Sequence, residues 1–343
     1  MKRSVLIIGN FLSAAGGSRG VCEDLAERLA NNGWKVVTAS RKRPRLLRLA
    51  DMILTAVRHR HDYSVAQIDV FSGPAFVWAE AVCWTLRRLG KPYVLTLHGG
   101  NLPKFAARWP GRVKRLLSSA AAVTAPSGYL REKLEPYCRK INLIPNPIDI
   151  GRYPYRERSP AKPRLAWLRA FHEIYNPAMA VKVVAALAPE FPEVELSMVG
   201  PDKGDGSFER TGAEARRLGA EGRVKITGQV AKADVPRALA GADIFLNTSN
   251  VDNTPVSVIE AMACGLCVVS TNVGGMPHLL AQDQDALLVS PNDDAAMLQA
   301  VLRVLTEPGL AARLSHNARG TAEQLDWGRI LPQWEALLSS VAK

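Results

Sequence analysis

Two series of short apolar runs, each alternating with helical patterns, constrain this chain more than any other feature. The first series runs VLIIG, KVVTAS, YSVAQIDV, YVLTLHGG, AAVTAPS and INLIPN; the second runs LAWL, VELSMVG, VKITG, ADIFLNTS, CVVSTN and ALLVS. Short apolar runs separated by helices argue for parallel sheets covered on both faces. Between the two series, Ile144 to Arg164 carries five prolines and mixed charge, the composition of a connection. A chain of 343 residues is also too long for one ordinary core. The expectation is two doubly wound α/β domains, residues 1–150 and 151–326. The final WGRILPQWEALLSSVAK, 327–343, reads as a helix returning to the first domain. In this architecture ligands bind at strand C-termini, here on facing sides of a cleft.

The N-terminus, MKRSVLIIGNFLSAAGG, imitates a secretory leader, with Lys2 and Arg3 ahead of an apolar stretch. The same letters read as a buried strand, SVLIIGN, that ends at a glycine loop and leads at once into a helix pattern. The strand reading is adopted. No apolar run approaches the length of a transmembrane helix. The five cysteines are odd in number, which argues against a disulfide scaffold and for a reducing, cytoplasmic setting. Cys264 and Cys267 form CGLC, but with no second pair and a helix stop at Gly265 they read as packing.

Net charge is +12, which suggests an anionic partner where it is not merely solubilising. A nucleic-acid reader would show a recognition helix or stacking aromatics; aromatics are 6% of the chain, and no nucleic acid is expected. No cluster with metal-ligand spacing is present, so neither a metal nor another cofactor is expected.

The stretch SNVDNTPVSVIEAMACG, Ser249 to Gly265, holds two carboxylates, Asp252 and Glu260. It reads as a loop after the strand ADIFLNTS, then a helix with Thr254 as N-cap and Pro255 as first residue. The amides of Val256 and Ser257 then lie at the positive end of a helix, where phosphate is favoured. Glu260 sits further along, among residues that should be buried, where an ionised carboxylate needs hydrogen bonds. A ribose or sugar diol would supply them. On spacing alone, a structural salt bridge at Glu260 and a turn at Asp252 describe the segment equally well.

The segment resembles the E-x7-E signature of the retaining family 4 glycosyltransferases of GT-B fold, with Asp252 at the first acidic position and Glu260 at the second. The following AMACGLCVVSTNVGG, with Gly274 and Gly275, matches the usual continuation. The resemblance extends over nearly the whole chain: the pair Gly16 and Gly17, LHGG, IPNPID, VGPDKGDG, GQV and ADIFLNTS all occur in the family's order. It implies two Rossmann-like domains, the first handling the acceptor and the second a nucleotide-sugar donor. It also implies residue roles. Glu260 binds the ribose hydroxyls. Asp252, with the backbone of Asn253, Thr254, Pro255 and Val256, binds the donor sugar. Arg169 meets the diphosphate. His98 faces the donor sugar or the reacting centre, and Gly16 and Gly17 let backbone amides approach the ligand. One departure stands out. The family's lysine a few residues after the arginine is missing from RAFHEIYNPA, where Tyr175, Asn176 and Pro177 stand, and Lys203 in GPDKGDG is the candidate substitute.

The excess of positive charge concentrates in RKRPRLLRLADMILTAVRHRH, Arg41 to His61, with seven Arg or Lys residues, and in RWPGRVKRLL, Arg108 to Leu117. Basic amphipathic segments with an aromatic suit an anionic membrane surface; a helix with one core face and one solvated face fits as well. The resulting expectation is a glycosyltransferase acting with retention on a glycan or lipid-linked acceptor, cytoplasmic and peripheral to the membrane. The alternatives are a nucleotide-sugar epimerase of similar fold and a non-catalytic nucleotide-sugar-binding protein.

Overall fold

The structure, a computed structural model, describes residues 3–13 and 20–342. The chain divides into two compact units, Met1–Pro147 with Trp327–Lys343, and Ile148–Asp326. The division falls three residues ahead of the expected one.

The first unit holds β1 (Ser4–Ile8), β2 (Lys35–Ala39), β3 (Val65–Val70), β4 (Tyr93–Leu97), β5 (Ala122–Ala125) and β6 (Ile141–Leu143). They form one parallel sheet in the order β2-β1-β3-β4-β5-β6. The second unit holds β7 (Arg164–Leu168), β8 (Glu195–Val199), β9 (Val224–Gly228), β10 (Ile244–Asn247), β11 (Cys267–Thr271) and β12 (Ala286–Val289). Its sheet is also parallel, in the order β12-β11-β10-β7-β8-β9. Each of the twelve apolar runs contributes one strand. The central strands are continuous apolar runs because helices cover both faces: every residue of β1, β4 and β11 is buried. The edge strand β9 alternates half-buried Val224 and Ile226 with exposed Lys225 and Thr227, which blunts the edge.

Strand order reverses between β1 and β3 in the first sheet and between β7 and β10 in the second. Loops leaving neighbouring strands diverge at such a point and open a crevice at the carboxyl ends. The C-terminal helix, Trp327–Val341, belongs to the first unit. It buries Trp327, Ile330, Trp334 and Leu338 against Val5, Ile7, Leu25 and Leu29. Its Glu335 accepts from the Trp34 indole at 2.8 Å.

The proline-rich stretch carries the division between the units at Pro147 and Ile148, and from Ile148 onward it packs as part of the second unit. Arg156, Arg158 and Arg164 converge on Asp243, whose side chain is fully buried, and Arg158 itself is buried. Prolines explain why the stretch has little regular structure beyond the 3-10 turn Ile150–Arg152; three arginines on one carboxylate explain why it is fixed. The helix Arg45–Arg58 belongs to the first unit. It buries Arg48, Met52 and Ala56, while Leu46, Leu47, Leu54 and Val57 stand exposed, Leu46 at 83%. The bulky apolar positions of this helix are not all core. Among the described residues no helix is long and apolar enough to cross a membrane.

Candidate functional site

At the reversal point of the second sheet, β7 ends at Leu168 and delivers Arg169. The Arg169 amide donates to Val199 O at 3.0 Å, which locks the loop after β7 to that after β8. Gly200 makes this contact possible: a Cβ there would lie 1.7 Å from Arg169 O. The guanidinium of Arg169 donates from Nη2 to Asp252 Oδ2 at 2.6 Å and lies 4.3 Å from the centre of the Tyr175 ring. Its Nε is buried without a hydrogen-bond partner among the described residues. Where the family lysine is missing, Tyr175 thus supplies an aromatic face that orients the remaining cation.

Asp252 is 7% exposed, on the loop that leaves β10. Besides Arg169 it accepts from Ser249 Oγ at 3.1 Å and from the Asn253 amide at 2.9 Å. The loop is backed by the glycine pair of the signature. A Cβ on Gly274 would lie 1.9 Å from Asp252 O, and one on Gly275 2.0 Å from Asn253 O. The pair is therefore a close-approach surface for residues 252–253, not a plain turn.

The helix that follows is Val256–Ala263, with Pro255, not Thr254, at the N-cap. The proline fixes the extended backbone and has no amide to satisfy, so it displaces the expected threonine cap by one residue. The Val258 amide donates to Pro255 O at 3.2 Å, leaving the amides of Val256 and Ser257 ahead of the helical ladder. Ser257 Oγ is buried there without a partner among the described residues. Asn253 and Thr254 are buried beside this helix start.

Glu260, 5% exposed, lies on the same helix. The Tyr153 hydroxyl donates to its Oε1 at 2.6 Å. Burial and the adjacent carboxylate hold the Tyr153 phenol far above its ordinary range, so it remains a donor. Tyr153 was not singled out from sequence, and no local signal marks it, because it stands 107 residues before its partner.

Lys203 is exposed on the loop after β8, its amide bonded to Phe171 O at 3.2 Å. The same loop carries Asp205, which accepts from the amides of Glu173 at 2.8 Å and Ser207 at 3.0 Å. The Glu173 bond foremost draws the Asp205 carboxyl down to about 2. The loops around Arg169 are thus cross-tied, while Lys203 projects outward from one of them.

In the first unit His98 follows β4. Its Nε2 meets Asp69 Oδ1 at 3.0 Å, and its ring stacks on Phe71 at 5.0 Å between centroids. Gln67 Nε2 donates to the same Asp69 oxygen at 2.9 Å and to Thr96 Oγ1 at 2.7 Å. A Cβ on Gly9, just past β1, would lie 2.6 Å from Asp69 Oδ2. The Asp69–His98 pair therefore sits at the first sheet's own reversal point. Asp69 was missed, although a carboxylate inside the run YSVAQIDV was a visible signal. Gly16 and Gly17 lie outside the described residues.

A guanidinium, a helix start with an unpartnered hydroxyl, and two buried carboxylates on one crevice define a doubly wound α/β protein able to hold a phosphate-bearing polyol. Comparison with known proteins agrees. The model described as Glycosyltransferase Family 4 matches residues 15–152, and that described as Glycosyl transferases group 1 matches residues 158–321. The D-inositol 3-phosphate glycosyltransferase of Actinosynnema mirum is 27% identical over 274 residues, 74% of this chain and 65% of that protein. The phosphatidyl-myo-inositol mannosyltransferase of Mycolicibacterium smegmatis is 28% identical over 197 residues, 55% of this chain and 49% of that protein. The chain therefore spans less than two thirds of either relative's length. Among solved structures, Anabaena HepE in complex with UDP and glucose superposes with a TM-score of 0.79 at 18% identity, covering 98% of this chain and 100% of that one. The chain belongs to glycosyltransferase family 4, and its fold is GT-B.

Proposed function

We propose that the chain transfers a sugar from a nucleotide-sugar donor to an acceptor hydroxyl, with retention at the anomeric carbon. The observation that carries this reading is the position of Arg169. It lies at the reversal point of the second sheet, paired with Asp252, the first acid of the signature. In the proposal the donor's diphosphate takes the amides of Val256 and Ser257, the orphan Ser257 hydroxyl and Arg169 Nε. Asp252 and the backbone of 253–256 take the sugar hydroxyls, and Glu260 takes the ribose. As the bond between the anomeric carbon and the diphosphate oxygen breaks, negative charge grows on the departing diphosphate. A guanidinium already oriented by Asp252 and Tyr175 stabilises that charge without further reorganisation. No metal has a role in this scheme. The UDP and glucose held by HepE, which shares the fold, support a nucleotide-sugar donor.

The first unit is assigned the acceptor, and His98, oriented by Asp69, is assigned a role in handling it. We assign the acceptor to the lipid-linked or phosphorylated class and the protein to the cytoplasmic face of a membrane. The names of the two relatives, which specify an inositol phosphate and a phosphatidyl-inositol, support an anionic acceptor. Five free thiols support a reducing compartment. Exposed leucines beside basic residues on the helix Arg45–Arg58 support a peripheral contact with lipid.

The test is a panel of UDP-, GDP- and ADP-sugars, with donor turnover followed by NMR so that the anomer of the released sugar is read directly. One donor should be slowly consumed, releasing the sugar with its original configuration. Inversion would overturn the assignment of retention, and no turnover of any donor would overturn the enzymatic reading.

A further inference from the structure

The first unit leaves an apolar surface uncovered. Seven of the nine large apolar side chains exposed among the described residues lie on the helices Arg45–Arg58 and Pro74–Arg88 or at Trp109, which precedes the helix Pro110–Leu117. Isolated exposed leucines are ordinary, but a concentration of this kind marks a contact surface. Its aromatic members are paired with cations: Arg88 lies 5.2 Å from the Trp84 ring and Arg108 5.6 Å from the Trp109 ring. Tryptophan beside arginine suits the headgroup level of a bilayer.

Between the helices Pro74–Arg88 and Pro110–Leu117 lies a groove of about 320 Å³. Its apolar lining includes Val77, Ala81 and Leu116, and Arg87, Arg112 and Arg115 stand around it with Trp84. The three arginines are not equivalent. Arg112 is committed to Glu80, with Nε donating to Oε1 at 2.6 Å and Nη2 to Oε2, and it lies over the Phe76 ring. That pair is neutral and fixes the spacing of the two helices. Among the described residues no carboxylate pairs with Arg87 or Arg115, and both are exposed. The groove thus offers two uncompensated guanidinium groups above an aliphatic floor. A phosphate ester joined to an apolar chain matches both: the fork of arginine is complementary to phosphate, and the floor accepts methylenes.

We propose that this groove is a specific site for the phosphate headgroup of an anionic phosphoglyceride, and that it sets the orientation in which the first unit rests on the bilayer. The inference rests on the peripheral membrane contact proposed above. Arg87 and Arg115 grip the phosphate, Trp84 lies at the interface, and the exposed leucines of Arg45–Arg58 enter the acyl region.

Co-sedimentation with phosphatidylcholine vesicles, with and without phosphatidylglycerol, tests the site. A diffuse electrostatic surface makes any two exposed arginines equal. The control is therefore Arg45→Ala/Arg58→Ala on the neighbouring helix, expected to weaken binding to anionic vesicles on the order of tenfold. Arg87→Ala/Arg115→Ala is expected to weaken it on the order of a hundredfold, because charge-assisted hydrogen bonds are lost as well. Arg87→Lys/Arg115→Lys, which keeps the charge, should recover only the control level. Circular dichroism confirms that each variant is folded. Monomeric dihexanoyl-phosphatidylglycerol gives a second readout: it should change tryptophan emission saturably, and the change should vanish in Trp84→Phe and in Arg87→Ala/Arg115→Ala. Equal losses for the two arginine pairs, or full recovery by lysine, would overturn the site while leaving membrane docking intact. Failure of the wild-type protein to bind anionic vesicles at low salt would overturn the membrane contact itself, and the site with it.

Discussion

Arg169 and Asp252 are 83 residues apart in sequence and 2.6 Å apart in the structure. Their pairing decides what each substitution should do. Arg169→Ala removes the cation that meets the leaving diphosphate, and should lower kcat on the order of a hundredfold with a smaller effect on donor affinity. Steady-state kinetics with the donor identified by the panel check this; an unchanged kcat with a raised KM would make the contact a ground-state one. Arg169→Lys should not restore the rate, because a point charge neither stacks on Tyr175 as a plane nor holds Asp252 with one nitrogen while offering another to the diphosphate. Tyr153→Phe takes a donor from a buried carboxylate. It should cost about 1–3 kcal/mol in denaturant unfolding, and weaken nucleotide binding by freeing Glu260 to turn. Asp252 and Glu260 were readable from sequence because one loop and one helix carry both. Tyr153 and Asp69 were not: spacing along an element tells which residues share it, and nothing about what a distant segment brings to face them.

At the scale of elements, all twelve strands were legible because a parallel sheet buried on both faces leaves nearly continuous apolar runs. The connections were less legible. The start of the signature helix moved by one residue because a proline cap competes with a threonine cap, and sequence alone does not rank the two. The stretch after Pro147 read as a connection because its prolines are local while its anchor, Asp243, stands 79 residues beyond Arg164, just before the neighbouring strand β10. The glycines that hold the site loops were visible as motifs but not as contacts. Gly274 has φ of 53° and its Cβ position is 1.9 Å from Asp252 O. Gly274→Ala should therefore displace the 252–253 loop and cost about 1–3 kcal/mol or more. Nucleotide affinity should fall with it. Urea unfolding and a nucleotide titration on the same sample check both, and an unperturbed loop would show as wild-type values in each.

For the molecule as a whole, the buried Asp243 cluster makes acid stability depend in part on one carboxyl. Burial works to raise the Asp243 pKa, but hydrogen bonds from Arg156, Arg164 and the Lys162 amide outweigh it and hold the carboxyl below its ordinary 3.8. A depressed carboxyl takes up a proton on unfolding. Its stabilisation is therefore present above the ordinary value and is lost as pH falls below it. Asp243→Asn leaves buried Arg158 without its counter-ion and should destabilise the second unit by about 3–5 kcal/mol at neutral pH. It should also flatten the fall in stability below about pH 4 relative to wild type, and thermal unfolding across a pH series reads both effects. The charge of the first unit acts differently. Most of its basic residues are exposed and screened, Arg48 and Arg112 being among the exceptions, so salt should weaken the binding of an anion to them without unfolding the unit.

The central claim is that the second unit holds a nucleoside diphosphate between Arg169, the helix start at Val256 and Glu260. Calorimetric titration of the full chain with UDP, GDP and ADP, for wild type and Glu260→Ala, tests it most directly. The account predicts saturable binding of one of these nucleotides by the wild type and its loss in a Glu260→Ala protein whose circular dichroism is unchanged. Equal affinity in the two folded proteins, or no binding of any of the three by the wild type, would contradict it.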